Sequence, residues 1–384
     1  MNMRIPVFLL LVSATFPAVS DALPPPPPLA AKAFLLRDFG SDTVIAQQGE
    51  HERVEPASLT KLMTAYLSFK ALKNGHLTLT QALPVSTNAW KAGGACGGSA
   101  SSCMFIGPDK PVTVDELLHG MIIQSGNDAC IALAEGIAGS EAAFAGMMNK
   151  EAARLGMKNT HFTNASGLPG PDHYTTVHDL SLLAAALIRD FPEQYQRLYK
   201  IKEYTYNKIT QMNRNRLLWL DPYVDGMKTG HTQAAGYCLV ASARRGDMRL
   251  ISVLVGAPSD NVRITDSQRL LNYGFQFYED KTVYKPGQAV SRLKVWKGQD
   301  ALVEATVEGD VVLSYPRGRY ADIKASVTTT QPLLAPITQG QAVGSIRFTL
   351  DGKPLLERKL VAAREVAVAG IFGRLWDELK LKFQ

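Results

Sequence analysis

A chain of 384 residues, 46% hydrophobic and 20% charged, is globular in composition and too long for one ordinary domain. Its formal charge of +6 is modest, and no Lys/Arg run is long enough to track a phosphate backbone, which argues against a nucleic-acid-binding protein. The balance would suit an anionic membrane surface or wall polymer.

Residues 1–20 read as a secretory signal. Arg4 charges the start, Ile5 to Ala18 is apolar but too short to cross a bilayer, and Ala18-Val19-Ser20 and Ser20-Asp21-Ala22 offer small-x-small cleavage sites. The linker 21–30 holds Pro24 to Pro28, a polyproline spacer that joins neither sheet nor helix. No later apolar run is long enough to span a membrane, so the expectation is an exported chain that does not cross the bilayer.

Residues 31–278 read as one α/β (α+β) domain. Ala33 to Arg37 and Val44 to Gln47 are the strands of a predicted hairpin, and a helix follows at Ser58. Val114 to Ser125, Asp128 to Gly136, Glu141 to Leu155 and Asp179 to Arg189 are predicted helices; Leu180, Leu183 and Leu187 give the last its helical spacing. Tyr237 to Ala243 and Leu250 to Gly256 read as strands, and Ser259 to Tyr273 as a closing helix. Strands, an all-helical middle and strands again predict one sheet assembled from both ends of the domain.

Between Asn88 and Gly107 the chain is too rich in Gly and Ser to pack as a regular element. Two of the four cysteines fall here, and in an exported protein a Cys96–Cys103 disulfide is expected to staple the loop. Cys130 and Cys238 sit in apolar elements and read as small core residues. No Cys/His spacing fits a metal site, and none is expected.

From 279 to 363 the texture changes. Ala289 to Trp296, Leu302 to Val307, Val311 to Tyr315, Ile323 to Val327, Ile346 to Leu350 and Leu356 to Val361 are short, partly alternating runs separated by turns, which predicts a small all-β domain. The last stretch, 364–384, reads as an amphipathic helix. Ile371, Phe372, Leu375, Trp376, Leu379 and Phe383 occupy one side and Arg374, Asp377, Glu378 and Lys382 the other, a pattern suited to lying on a membrane.

The chemistry is concentrated in three short motifs. In Ser58-Leu59-Thr60-Lys61 a hydroxyl and an amine share one helical face, with Pro56 at the helix start. A serine is a poor nucleophile until a base takes its proton, and a partly desolvated lysine can be that base. Alone the motif is weak, since Ser291-Arg292-Leu293-Lys294 repeats it. Ser125-Gly126-Asn127 adds a second hydroxyl and a carboxamide, and Lys228-Thr229-Gly230 follows the Asp225-Gly226 turn. Ser-x-x-Lys, Ser-Asp-Asn and Lys-Thr-Gly in this order form the signature of penicillin-binding proteins and class A β-lactamases, and here Gly126 stands at the middle position of the second motif. Ser259-Asp260-Asn261 matches the middle motif better but lies after the third, so it is set aside.

With their flanks, Ile122 to Cys130 and Val224 to Thr232, these motifs resemble those of the D-alanyl-D-alanine carboxypeptidases, low-molecular-mass penicillin-binding proteins of the Gram-negative envelope. The resemblance continues through Gly246 to Val253 and covers nearly all of the expected mature chain. It implies a β-lactamase/DD-peptidase-like catalytic domain acting on peptidoglycan pentapeptides in the periplasm, acylated by β-lactams, without a cofactor. It also implies a C-terminal helix on the outer face of the inner membrane.

The roles it carries over are these. Ser58 is the nucleophile and Lys61 its base; Ser125, Asn127 and Lys228 complete the catalytic set. Thr229 and Arg263 bind the substrate carboxylate, and the strand edge at Gly230-His231-Thr232 pairs with the peptide. The Cys96 and Cys103 pair departs from the family's usual loop. A DD-endopeptidase would share all of this chemistry. A class A β-lactamase would use a deacylating glutamate in Glu-x-x-Leu-Asn, and no such run lies between Asn127 and Lys228. A wall-binding scaffold with a vestigial site would have no need of Ser58, Lys61 and Lys228 together.

Overall fold

The structure, a computed structural model, describes residues 23–94 and 102–382. The expected signal at 1–20, Cys96 and Phe383 lie outside them.

Five antiparallel strands make the central sheet: β1 (Ala33–Asp38), β2 (Val44–Gln48), β3 (Val224–Thr232), β4 (Gly236–Arg245) and β5 (Met248–Ala257). Their spatial order is β2-β1-β5-β4-β3, so the first and last strands of the domain do meet in one sheet, and β3 is an edge. Helices cover both faces, which is why β1 is buried at every position. Alternate side chains of β1 feed two cores. Ala33 and Leu35 join Leu62, Met63, Leu183 and Leu187 on one side. Phe34 and Leu36 join Ile264, Leu270 and Leu271 on the other.

The principal helices are α1 (Lys61–Lys73), α2 (Val114–Ile123), α3 (Asn127–Ala138), α4 (Glu141–Arg154), α5 (Val177–Asp190) and α6 (Asp260–Phe277). Side chains at their N-termini explain several starts. Thr113 and Glu116 form a capping box before α2, and Ser140, Thr176 and Ser259 cap α4, α5 and α6. The proline-rich segment, read as a spacer, runs against α6: Tyr273 Oη donates to the Pro24 carbonyl and Ala30 N to Asp266 Oδ2, at 2.9 and 2.8 Å.

A six-stranded sheet follows, in the spatial order Lys324–Thr329, Ala342–Leu350, Lys353–Ala362, Leu302–Thr306, Ala289–Trp296, Leu333–Leu334. Val295, Val303, Val343, Ile346 and Leu360 are among the residues of its own separate core. A strand that sequence reading missed, Tyr278–Tyr284, pairs with Val311–Pro316 and links the two regions directly out of α6. Its charged residues Glu279, Asp280 and Lys281 mask the alternation that would have marked it.

The last helix is shorter than expected, α7 (Ile371–Leu381). Residues before it stay extended because they bridge to the β region: Val366 pairs with Ile337 and Val368 with Gly298. Among the described residues, no single helix is long and apolar enough to cross a membrane.

Candidate active site

Three elements converge on one cavity of 1360 Å³. Ser58 does not lie in the first turn of an α-helix as expected. It occupies a 3-10 turn, Ala57–Thr60, and Lys61 is the first residue of α1. Ala57 has φ +47°, a left-handed conformation that a non-glycine residue adopts at a cost and that clusters at functional sites. Gly230 of β3 lets the strand approach this turn, because a Cβ there would sit 3.2 Å from both Ala57 Cβ and the Pro56 carbonyl.

Lys61 is buried, and Ser58 is half-buried beside it. Lys61 Nζ lies 2.9 Å from Ser58 Oγ, 2.7 Å from Asn127 Oδ1 and 2.6 Å from the Ser166 carbonyl. Burial pulls the Lys61 amine below the ordinary lysine range; nearby Cys130 and Asp128 oppose the shift and Arg214 adds to it. The Ser166 carbonyl comes from a loop that presses, at Gly167, on the turn that carries Ser58. That residue has φ +85°, and any Cβ would fall 1.8 Å from the Ala57 carbonyl.

Ser125 stands between α2 and α3 with φ +63°. It is buried, and its Oγ has no hydrogen-bond partner among the described residues. α2 ends at Ile123, earlier than expected, and Asn127 opens α3. The neighbouring Asp128 carboxylate straps a second segment to this corner: it accepts from the backbone N–H groups of Met104, Phe105 and Ile106 at 2.9, 2.9 and 3.3 Å. Ser102 carbonyl in turn accepts from Asn127 N at 2.8 Å.

Lys228, Thr229 and Gly230 are buried on β3, whereas His231 is exposed and packs on Tyr237, with ring centroids 4.1 Å apart. Lys228 Nζ donates to the Thr229 carbonyl at 3.1 Å, and burial, then the charges of Lys61 and Arg214, drive its amine well below the usual lysine value. Thr232 Oγ1 donates to Glu55 Oε2 at 3.1 Å. Arg263, on the first turn of α6, donates to the Gly230 carbonyl at 3.2 Å. Ser58, Ser125, Asn127, Thr229, Gly230, His231, Thr232 and Arg263 all line the cavity; Lys61 and Lys228 lie buried behind them.

The model of the family described as D-alanyl-D-alanine carboxypeptidase matches residues 20–259, and that of the penicillin-binding protein 5 C-terminal domain matches 278–368. The chain is 45% identical to D-alanyl-D-alanine carboxypeptidase DacC of Escherichia coli, over 98% of this chain and 94% of DacC. The chain belongs to the D-alanyl-D-alanine carboxypeptidase family. Among solved structures it is similar to penicillin-binding protein 5 of Haemophilus influenzae, at 38% identity and TM-score 0.84, covering 89% of this chain and 99% of that one. It also resembles penicillin-binding protein D2 of Listeria monocytogenes, solved in a cefotaxime-bound form, at 31% identity and TM-score 0.59, covering 66% of this chain and 100% of that one.

Within this carboxypeptidase fold several site neighbours went unread in the sequence. Arg214 lines the cavity, with its Nε 3.4 Å from the Gln124 carbonyl. It belongs to no motif, and its run Asn213-Arg214-Asn215 looks like ordinary loop. His173 sits behind the turn that carries Ser58, 2.9 Å from Thr60 Oγ1 through Nε2, and its Nδ1 accepts from Thr163 N at 2.9 Å. Ser166 acts through a carbonyl, which no side-chain pattern announces. Cys103 is disulfide-bonded; its expected partner Cys96 lies outside the described residues. Cys130 and Cys238 are buried free thiols. Among the described residues, no group of three or more His, Cys, Asp or Glu side chains is placed to hold a metal ion.

Proposed function

We propose that this chain is a serine D-Ala-D-Ala carboxypeptidase that trims the terminal D-alanine from peptidoglycan pentapeptides through a Ser58 acyl-enzyme. One observation carries the reading: the three neighbours of Lys61 Nζ. Two of them, a carboxamide oxygen and a backbone carbonyl, can only accept. A neutral amine has two N–H groups and one lone pair, so once those two acceptors are served the lone pair is left facing Ser58 Oγ. Desolvation favours that neutral form, and the amine stands ready to take the serine proton.

The steps follow. Ser58 Oγ attacks the carbonyl between the two D-alanines as its proton passes to Lys61. The developing oxyanion is met by the backbone N–H groups of Ser58 and His231. Ser125 Oγ relays a proton to the departing D-alanine amine, and Asn127 holds Lys61 and the substrate amide. Lys228, Thr229 and Arg263 supply positive charge and donors for the terminal carboxylate. The outer edge of β3 at Gly230, His231 and Thr232 takes the peptide as an added strand. Water then hydrolyses the ester. A β-lactam enters the same path and leaves its ring-opened acyl group on Ser58.

The proposed location is the periplasm, reached through a signal at 1–20, with α7 resting on the outer face of the inner membrane. Exposed Ile371, Phe372, Leu375, Trp376 and Leu379 support the membrane contact.

The test is intact-mass spectrometry after incubation with benzylpenicillin, on the protein and on Ser58→Ala, with D-alanine release assayed from a pentapeptide ending in D-Ala-D-Ala. The expected result is one penicillin-sized adduct that vanishes in the variant, together with D-alanine release that also vanishes. An adduct without D-alanine release would assign the site to a different cross-link. Rapid drug loss without an adduct would mean a β-lactamase.

A further inference from the structure

The guanidinium expected to receive the substrate's carboxylate is already engaged. Arg263 Nη1 lies 3.2 and 3.5 Å from the carbonyls of Gly230 and Cys238. Nη2 lies 2.5 Å from Asp260 Oδ1, an ion pair out of hydrogen-bond alignment. The second oxygen of Asp260 lies 3.0 Å from Arg216 Nη1, which also donates to Asn261 Oδ1 at 2.8 Å. Side-chain exposure climbs along this row, from 8% for Arg263 through 35% for Asp260 to 52% for Arg216. All three line the cavity that holds Ser58.

We propose that Asp260 is a specificity-determining residue: a built-in carboxylate that occupies Arg263 and competes with the carboxylate of the substrate, with Arg216 drawing it outward and so setting how strongly it competes. The inference rests on Arg263 being the carboxylate receptor.

Arginine binds a carboxylate through a fixed fork of paired donors. With Nη1 on backbone carbonyls and Nη2 on Asp260, an incoming carboxylate must displace Asp260 or share Arg263 with a like charge. Nε of Arg263 is buried and has no hydrogen-bond partner among the described residues, so it does not relieve the competition at Nη2. Arg216 offers Asp260 a second, more exposed partner. When substrate arrives, Asp260 can move toward Arg216 without losing a counter-charge. The two neighbours of Asp260 therefore act in opposite directions on substrate affinity.

That opposition makes the test. Second-order acylation constants would be measured for benzylpenicillin and for its methyl ester, which lacks the charge, on the full chain and three variants. The acid-to-ester ratio within each variant does not depend on how much of the preparation is folded. Asp260→Asn should raise the ratio roughly three- to tenfold, the scale of one partly exposed ion pair. Arg216→Gln should lower it by a similar factor, and Arg263→Gln should collapse it. If Asp260→Asn lowers the ratio or leaves it unchanged while Arg263→Gln collapses it, Asp260 merely orients Arg263 and the proposal falls. If Arg263→Gln leaves the ratio intact, the carboxylate is held elsewhere and the reading of Arg263 fails with it.

Discussion

The catalytic cleft and the C-terminal helix break the ordinary partition of side chains in opposite senses. In the cleft, Lys61, Lys228, Ser125, Asn127 and Thr229 are all buried. On α7, Phe372 is 90% exposed, and Ile371, Leu375, Trp376 and Leu379 are exposed beside it. Burial strips hydration from the Lys61 amine, which costs stability but favours the neutral form that can take a proton. Exposed apolar rings cost little in the folded chain itself, but a run of them invites a nonaqueous surface. The polar face of α7 is meanwhile tied down: Asp377 Oδ2 accepts from Lys297 N at 2.6 Å and Glu378 pairs with Lys297 Nζ at 3.2 Å. The helix is docked through its acids, leaving its apolar side outward. In each region the anomaly lies where the chemistry, or the contact, is proposed.

The largest expected effect comes from removing the buried amine while keeping its shape. Lys61→Met should slow acylation of Ser58 by about 10²–10⁴-fold, the usual worth of a positioned general base. Its melting temperature should fall only modestly, because relief of the desolvated amine offsets part of the cost of leaving Asn127 Oδ1 and the Ser166 carbonyl without its N–H donors. Stopped-flow acylation by a reporter cephalosporin and thermal denaturation together check both signs; a variant that is slow only because it unfolds would contradict the comparison. In the unaltered protein, acylation should climb with pH at an apparent pKa below the ordinary lysine value, since the neutral amine is the active form.

A smaller effect is expected at the other end. Phe372→Ser with Trp376→Ser removes two exposed rings, each worth about 2 kcal/mol if they enter an acyl-chain boundary. Binding to anionic phospholipid vesicles should weaken by roughly a hundredfold or more, while D-alanine release in solution stays unchanged. Equal sedimentation of variant and parent with vesicles would remove α7 from any membrane role.

How much of this was legible in the letters follows from where the information is stored. Side-chain motifs were readable: the order of Ser58, Lys61, Ser125, Asn127 and Lys228 along the chain anticipated one cavity, and alternating or helical apolar spacing anticipated the sheet and its helices. What stayed hidden acts through backbone or through packing. The Ser166 carbonyl has no signature, and the 3-10 turn at Ser58 depends on the loop at Gly167 and on β3 pressing from outside. Glu279, Asp280 and Lys281 concealed a strand because pairing with Val311–Pro316, not side-chain alternation, holds it. The start of α7 was misread for the same reason, since Val366 and Val368 are taken by bridges that local propensity does not foresee.

The smallest effect sharpens the account of the cleft by asking what its buried polar groups do when they are not meant to ionise. His173 is neutral between two neighbours: Nε2–H donates to Thr60 Oγ1 and Nδ1 accepts from Thr163 N. Burial, with a smaller push from His161, holds its pKa down to about 4, below the 6.5 of an unfolded chain. The folded state therefore resists a proton that the unfolded state accepts. The stability is fully present above pH 6.5 and is lost progressively as pH falls toward about 4, reaching about 2 kcal/mol by pH 5. Protonation also takes away the acceptor that Thr163 N–H needs, while Nε2–H still donates to Thr60, the residue before Lys61. His173→Gln keeps a donor and an acceptor but cannot titrate. Denaturant unfolding at pH 7 and pH 5 should show the parent losing about 2 kcal/mol more than the variant across that interval. Parallel losses would mean that His173 is solvated enough to titrate normally, and that the turn at Ser58 does not depend on a neutral imidazole behind it.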